Sequence, residues 1–301
     1  MYYVAREANR GSNGLVLRSR IMALISIIIG LFLDRTFRHL HDLRDMTWFE
    51  YYAQTILRYT GRLMPPLQFI IILSLPVLVI LGIQILLYDF LFNLPALLFG
   101  ILIFIYCLGP ACLSSDIEAY IHARTIGDDD EALHYAGSIT DAAASTQTDQ
   151  QINDVTRAIL YIANERIFAT IFWFIILGPF GVLAYRLISE LSKQIEFDQL
   201  AEFSEFIHGI MAWIPARMLA AGYALTGNFD GAYHAYKDRA YTSDLSQSNS
   251  EVLISTGLGA MRTLDMQNEL SSINAAQALV MRAVIVWIGI LAVMTLGGIF
   301  N

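Results

Sequence analysis

The chain has 301 residues, of which 56% are hydrophobic and only 15% are charged. Soluble domains carry about 25% charged residues, so a soluble protein of this length would have too much apolar surface to bury. The composition therefore predicts an integral membrane protein, and the formal net charge of −8 argues against nucleic acid as a partner. Cys107 and Cys112 lie in or at the end of an apolar run, which predicts inert packing residues rather than a disulfide framework or a zinc site.

The N-terminal segment does not show the pattern of a folded element. Residues 1–21 lack periodicity and contain the stretch NRGSNG, so we expect a disordered extension and treat Met22 as a candidate start. Residues 21–33 form an apolar run that is too short to span a membrane upright. Asp34 and Arg35 follow this run where a cleavage site would need small residues. We predict a retained helix that is half embedded or packed against the spans.

Four longer apolar runs are predicted to cross the membrane as helices, because about 20 apolar residues span the hydrocarbon core. They cover residues 67–87, 94–113, 168–185 and 283–300. Residues 1–66 carry nine arginines and five acids, and this positive bias predicts a cytoplasmic N-terminus. Residues 114–166 would then be cytoplasmic, residues 186–281 external and the C-terminus cytoplasmic.

Several polar segments are predicted to be helical. Residues 44–63 are amphipathic and rich in aromatic and basic residues, which suits the headgroup level of a bilayer. The stretches GDDDEALHYAG and GNFDGAYHAYK each indicate a helix ended by glycine, followed by a helix with an aspartate cap. The alternative is a metal site that pairs His134 with His234, but one histidine per segment falls short of a ligand set. From Ile152 a helix is predicted to run unbroken into the third span.

The stretch AWIPARMLAAGYALTGNFDGAY raises the question of why an apolar helix contains Arg217. Pro215 suits the first turn of a helix and Gly227 suits its C′ position, which gives about 12 residues. Alternatively this helix joins the preceding residues into an embedded, kinked helix over residues 206–226. Ala212, Ala216, Ala220 and Ala224 form a small-residue stripe that lets another helix approach closely.

Arg217 is therefore expected to be held against protein. Its partner could be a buried acid, with Glu165 as the candidate, or helix-end carbonyls, or an anionic ligand. The first two alternatives make Arg217 a tie between helices, and the third makes it a ligand-binding residue. No motif for phosphate binding, nucleophilic catalysis or metal binding is present, so we predict no catalytic residue, metal or cofactor.

Two motifs carry a resemblance to a known family. The stretch NERIFATIFWFIILGPFGVLAYRL at residues 164–187 and the stretch WIPARMLAAGYALTGNF at residues 213–229 resemble AmpE proteins, as do MALISIIIGLFLDR and WFEYY. The resemblance covers residues 22–301 and implies a single multi-pass domain of the inner membrane. It also implies a non-catalytic regulatory or sensory role in β-lactamase induction and in the response to β-lactams or cell-wall stress. The implied partners are the lipid bilayer and other inner-membrane or cell-wall-recycling proteins.

AmpE proteins are in turn similar to the CobD/CbiB membrane synthases of cobalamin biosynthesis, which makes an amide-forming enzyme the alternative. The synthases have two aspartates and an asparagine before the shared I-P-A-R motif, and this chain has His208, Gly209 and Ala212 there. The acidic motif after the third span is also replaced, by Ser189, Leu191, Ser192 and Lys193. The candidate ligand-binding or buried polar residues are Glu165, Arg166, Tyr185, Arg186, Trp213, Pro215 and Arg217.

Overall fold

The computed structural model describes residues 21–34, 36, 44–87, 94–108, 113–140, 144–193, 198–239, 245–261 and 270–296. These residues form helices joined by short connections, with no strand among them, so the predicted all-α fold is confirmed. Residues 1–20 of the predicted extension lie outside the described residues.

The helices are, in chain order, α1 (Ile21–Asp34), α2 (Thr47–Thr60), α3 (Pro65–Leu86), α4 (Leu94–Cys107), α5 (Leu113–Ile126), α6 (Asp129–Thr140), α7 (Thr148–Ala163), α8 (Ala169–Leu177), α9 (Pro179–Ser192), α10 (Asp198–Thr226), α11 (Phe229–Arg239), α12 (Leu245–Met261) and α13 (Ser271–Leu296). A π-helical segment, Asn164–Phe168, joins α7 to α8. The described residues fall into two compact units. The first takes in 1–108, 170–190 and 287–301, and the second 109–169 and 191–286. A single membrane domain over residues 22–301 stays a prediction.

Three helices are long and apolar enough to cross a membrane. They are Pro65–Leu86, the continuous helix Thr148–Leu177, and Ser271–Thr295. The apolar runs at 67–87 and 283–300 are therefore helical as predicted, except that residues 297–300 lie outside the described residues. The helix predicted to start near Ile152 and to enter the third apolar run is also confirmed.

Two predicted spans have different bounds in the structure. Helix α4 ends at Cys107 and a separate helix begins at Leu113, so the run 94–113 is not one helix. At 1.5 Å per residue α4 is about 21 Å long, shorter than the hydrocarbon core of about 30 Å. The run 168–185 is divided at Gly178, whose φ of 72° lies in the left-handed region that favours glycine.

The break at Gly178 is stabilised by a side chain of α3. Pro179 begins α9, where its missing N–H leaves no donor unsatisfied. The amide of Phe180 donates to Oε1 of Gln84 at 3.4 Å. A Cβ atom at Gly178 would also stand 3.0 Å from Nε2 of Gln84. The helix that is long enough to cross a membrane in this region therefore consists of α7, the π segment and α8, and it ends before Gly178.

Helix α1 packs against α4 in the first unit. A Cβ at Gly30 would stand 2.5 Å from the ring of Phe104, and one at Gly100 would stand 3.2 Å from Oγ of Ser26. The two glycines therefore let the helices approach closely. Phe104 makes an edge-to-face contact with Phe174 of α8, with ring centroids 5.1 Å apart. Residues 21–33 are therefore helical as predicted and pack against α4, and their half-embedded position stays a prediction.

Helix α2 is amphipathic as predicted for residues 44–63. Phe49, Ala53 and Leu57 are buried, and Tyr51 and Tyr59 on the other side are 70% and 86% exposed. The predicted aromatic surface therefore exists on this helix.

Both predicted helix–turn–helix segments are present in the second unit. Gly127 has a φ of 78°, and the amide of Asp128 donates to the carbonyl of Ala123 at 3.0 Å, which is a Schellman ending for α5. Oδ1 of Asp128 then accepts the amide of Glu131 at 3.0 Å and caps α6. Asn228 rather than an aspartate caps α11, with its Oδ1 accepting the amide of Gly231 at 3.0 Å.

Helix α10 corrects the expectation for Pro215. The helix is a single element of 29 residues with Pro215 in its interior, so Pro215 does not begin a helix. The alternative of one longer helix that includes the preceding residues is confirmed. Ala212, Ala216 and Ala220 of the predicted stripe are buried, and α10 packs against α11, α12 and the π segment.

Candidate functional site

Arg217 lies at the centre of a polar contact between α10 and α12. Its Nη1 donates a hydrogen bond to Oδ1 of Asn249, and its Nη2 donates to Oγ of Ser248 at 3.0 Å. Nη1 also lies 3.3 Å from the carbonyl of Trp213. Partial burial lowers the pKa of Arg217, but an arginine remains charged in proteins. The expectation that this arginine is held against protein is therefore correct.

The partners of Arg217 are neutral and are themselves fixed. Ser248 and Asn249 are 3% and 6% exposed. Nδ2 of Asn249 donates to the carbonyl of Gly209 at 2.9 Å, so the side chain bridges two positions of α10. Among the residues that the structure describes, Arg217 makes no ion pair. Its positive charge is therefore oriented by hydrogen bonds, and no carboxylate of the described residues pairs with it.

Trp213 completes this cluster from the exposed side. The Cζ atom of Arg217 stands 4.5 Å from the centroid of the Trp213 ring, which is a cation–π contact. Trp213 is 44% exposed.

Glu165 is not the partner of Arg217, and that prediction is wrong. Oε1 of Glu165 forms an ion pair with Nζ of Lys193 at 3.1 Å. Glu165 and the half-buried Arg166 both belong to the π-helical segment. Such segments occur often at functional sites, although here the geometry gives Glu165 a cationic neighbour from the end of α9.

The π segment is tied to α10 through Tyr223. The amide of Asn164 donates to the carbonyl of Tyr161, three residues back, so it does not bond the carbonyl of Leu160 as an α-helix would require. The hydroxyl of Tyr223 donates to that Leu160 carbonyl at 2.7 Å. Tyr223 is fully buried, and its hydroxyl therefore satisfies a backbone acceptor that the change of helix type affects.

Tyr185 and Arg186 belong to the first unit and lie on α9. Both are buried, and Nη2 of Arg186 forms an ion pair with Oε1 of Glu190 one turn later, at 2.5 Å. Pro215 is buried in α10. The assignment of the seven candidate residues to ligand binding or to a buried polar core stays a prediction.

Sequence reasoning missed Ser248, Asn249 and Tyr223. Ser248 and Asn249 lie in a polar stretch, SQSNS, with no motif, and Tyr223 is one aromatic residue in an alanine-rich helix. The available signal was the position of the SQSNS stretch at the start of an otherwise apolar helix, where hydroxyl and amide side chains are buried only with partners.

The fold and this site define a class of protein. The chain is an all-α membrane protein. The chain belongs to the AmpE family, because the family model described as "Regulatory signalling modulator protein AmpE" matches residues 22–300.

Two relatives show the range of the similarity. "Protein AmpE" of Shigella flexneri is 23% identical over 219 residues, which cover 69% of this chain and 76% of that protein. "Cobalamin biosynthesis protein CobD" of Stutzerimonas stutzeri (strain A1501) is 29% identical over 111 residues. That match spans 35% of this chain and only 36% of the CobD protein. No solved structure matches the chain significantly.

Proposed function

We propose that this protein is a non-catalytic regulatory protein of the inner membrane that acts in β-lactamase induction and in the response to β-lactams or cell-wall damage. The observation that carries the proposal is the match of the AmpE family model to nearly the whole chain, with its description as a regulatory signalling modulator. The similarity to the Shigella flexneri AmpE protein over 219 residues supports it. The bilayer is the first partner, and other inner-membrane or cell-wall-recycling proteins are proposed as further partners.

The geometry of α10 supports a binding role over an acid–base role. General acid–base chemistry needs titratable groups placed at the reacting atoms. Where the resemblance to the synthases would place two aspartates and an asparagine, this chain has His208, Gly209 and Ala212. The carbonyl of Gly209 accepts a hydrogen bond from Asn249, so this position takes part in packing α10 onto α12.

An enzyme related to the cobamide synthases is the alternative. The partial similarity to the Stutzerimonas stutzeri CobD protein favours it, because 29% identity over 111 residues is higher than the identity to the AmpE protein. The short coverage of both chains weighs against transfer of the activity.

A deletion strain separates the two functions. β-Lactamase induction and cobalamin-dependent growth are measured side by side in the deletion strain, the parent, and the deletion strain that carries a plasmid-borne wild-type gene. We expect altered induction with unchanged cobalamin-dependent growth, restored by the plasmid. A loss of cobalamin-dependent growth alone would establish the alternative, and unchanged behaviour in both assays would contradict both functions.

A further inference from the structure

Helix α10 exposes a row of large apolar side chains. Phe206, Ile210, Trp213 and Ile214 are 55%, 47%, 44% and 48% exposed. Their spacing of three and four residues places them on one side of the helix. Scattered exposed apolar residues are ordinary, but a contiguous group marks an interaction surface.

The other side of α10 is already covered. Ser204, Ala212, Ala216, Leu219 and Tyr223 are buried, and this side packs on α11, α12 and the π segment. The exposed row therefore lies on a different side of α10 from the residues that pack in the core. Helix α10 is also not among the three helices whose length and composition suit a crossing.

Arg217 continues the exposed row by one turn beyond Trp213. Its guanidinium is half-buried and is oriented by Ser248 and Asn249, and among the described residues it meets no carboxylate within ion-pair distance. Trp213 covers one face of the guanidinium. On this face Trp213 and Arg217 lie side by side, and Leu225 two turns further on is also exposed. Apolar groups beside an arginine that pairs with no carboxylate of the described residues suit a membrane surface, because acyl chains accept the apolar groups and phosphates accept the arginine.

We propose that α10 lies on the membrane surface through the row Phe206, Ile210, Trp213 and Ile214, and that Arg217 binds the phosphate of an anionic phospholipid there. The charge of Arg217 complements an anionic headgroup, and this complementarity favours lipid over a neutral apolar protein partner. The bilayer is moreover the medium that a chain with three helices suited to crossing must meet. The inference does not depend on the regulatory function.

The test uses Trp213 as its own probe in the full chain. The variant Trp48→Phe, Trp173→Phe, Trp287→Phe leaves Trp213 as the single tryptophan. It is reconstituted into vesicles of phosphatidylglycerol and phosphatidylcholine in which one or the other lipid is brominated. Bromine quenches tryptophan fluorescence only on contact, so the quenching ratio reports which lipid lies next to Trp213.

We expect quenching by both brominated lipids and an enrichment of phosphatidylglycerol of about fivefold, as one arginine near an anionic headgroup provides. Arg217→Gln should bring the ratio of quenching by phosphatidylglycerol to quenching by phosphatidylcholine close to one, and both lipids should still quench. Ile210→Ser with Ile214→Ser should reduce quenching by both lipids. Arg282→Gln is the matched control, since Arg282 is an arginine of α13 that bonds the carbonyl of Ala278 in its own helix, and it should change neither.

Three results would overturn the inference. No quenching by either lipid would place the row against a protein partner or a second copy of the chain. Equal quenching by both lipids in the parent variant would remove the phosphate contact. If millimolar inorganic phosphate abolished the enrichment of phosphatidylglycerol next to Trp213, Arg217 would bind a soluble anion and not a lipid. If the triple variant does not fold, native mass spectrometry of wild type and Arg217→Gln replaces it, and equal retention of phosphatidylglycerol by both would count against the inference.

Discussion

Arg217 acts through neutral partners, and this determines how its substitutions should behave. Arg217→Ala removes the donors to Asn249 and Ser248, which are both buried. A buried polar group that loses its partner lowers the free energy of unfolding by about 1–3 kcal/mol. The loss of one partner of a buried ion pair lowers it by roughly 3–5 kcal/mol. We expect Arg217→Ala to lower the unfolding midpoint of the purified protein in detergent accordingly. Arg217→Lys should recover only part of the loss, because an ammonium cannot reproduce the two-pronged geometry.

A double-mutant cycle identifies the partner. Arg217→Ala and Asn249→Ala should be non-additive, because the two side chains share a hydrogen bond. Arg217→Ala and Glu165→Gln should be additive, since Glu165 pairs with Lys193. Coupling between Arg217 and Glu165, or wild-type stability in Arg217→Ala, would contradict the contacts described here.

Removal of the Tyr223 hydroxyl alone, with the ring kept, should lower the stability of the protein. Tyr223→Phe keeps the ring and removes the hydrogen bond to the carbonyl of Leu160, so we expect a loss of about 1–3 kcal/mol in the free energy of unfolding. Tyr233→Phe on α11 is the control, because that side chain is 54% exposed. Equal effects of the two substitutions would show that the Leu160 carbonyl does not depend on Tyr223.

At the scale of elements, the packing of α11 on α12 depends on two glycines in direct backbone contact. A Cβ at Gly231 would stand 2.4 Å from the carbonyl oxygen of Gly259, and a Cβ at Gly259 would stand 2.4 Å from that of Gly231. Backbone atoms cannot move aside as a flexible side chain can, so an added methyl group must separate the helices. Overpacking of this kind costs about 1–3 kcal/mol, which exceeds the gain of about 1 kcal/mol from replacing a helical glycine by alanine.

We therefore expect Gly231→Ala and Gly259→Ala to lower the thermal midpoint in detergent. Gly289→Ala in α13 is the matched control, because nothing lies within 4 Å of a Cβ at that position, and it should be neutral or slightly stabilising. A stabilising effect of Gly259→Ala would mean that α11 and α12 are not in backbone contact.

At the scale of the whole molecule, the arginine distribution predicts the orientation. Reporter fusions after Tyr88, Ala143, Gln247 and the C-terminus should report external, cytoplasmic, external and cytoplasmic positions, in that order. A cytoplasmic signal at Tyr88 would contradict the orientation. An external signal at Ala143 would show that α4, with its 14 residues, does not cross the bilayer.

The sequence by itself determined the all-α class, the apolar helices at 67–87 and 283–296, and the glycine endings of the helix–turn–helix segments. These features depend on composition and on neighbours within about one helical turn, such as the amides of Gly127 and Asp128, which donate to the carbonyls of Arg124 and Ala123. They are therefore contained in short stretches of the chain. The same holds for the long helix from α7 into α8, whose apolar face is continuous in the sequence.

Only the tertiary structure decided the partners of the polar side chains. Asn249 lies 32 positions from Arg217, and Leu160 lies 63 positions from Tyr223, so no local pattern brings them together. The sequence suggested Glu165 as the partner of Arg217 because the two side chains have opposite charges, but Glu165 forms its ion pair with Lys193. Pro215 looked like a helix start because proline is favoured there, but packing of α10 on α12 keeps the helix continuous through it. Packing against helices that are distant in sequence outweighed the local preferences of single residues, because most of a helix's stability in a protein comes from the face that it packs.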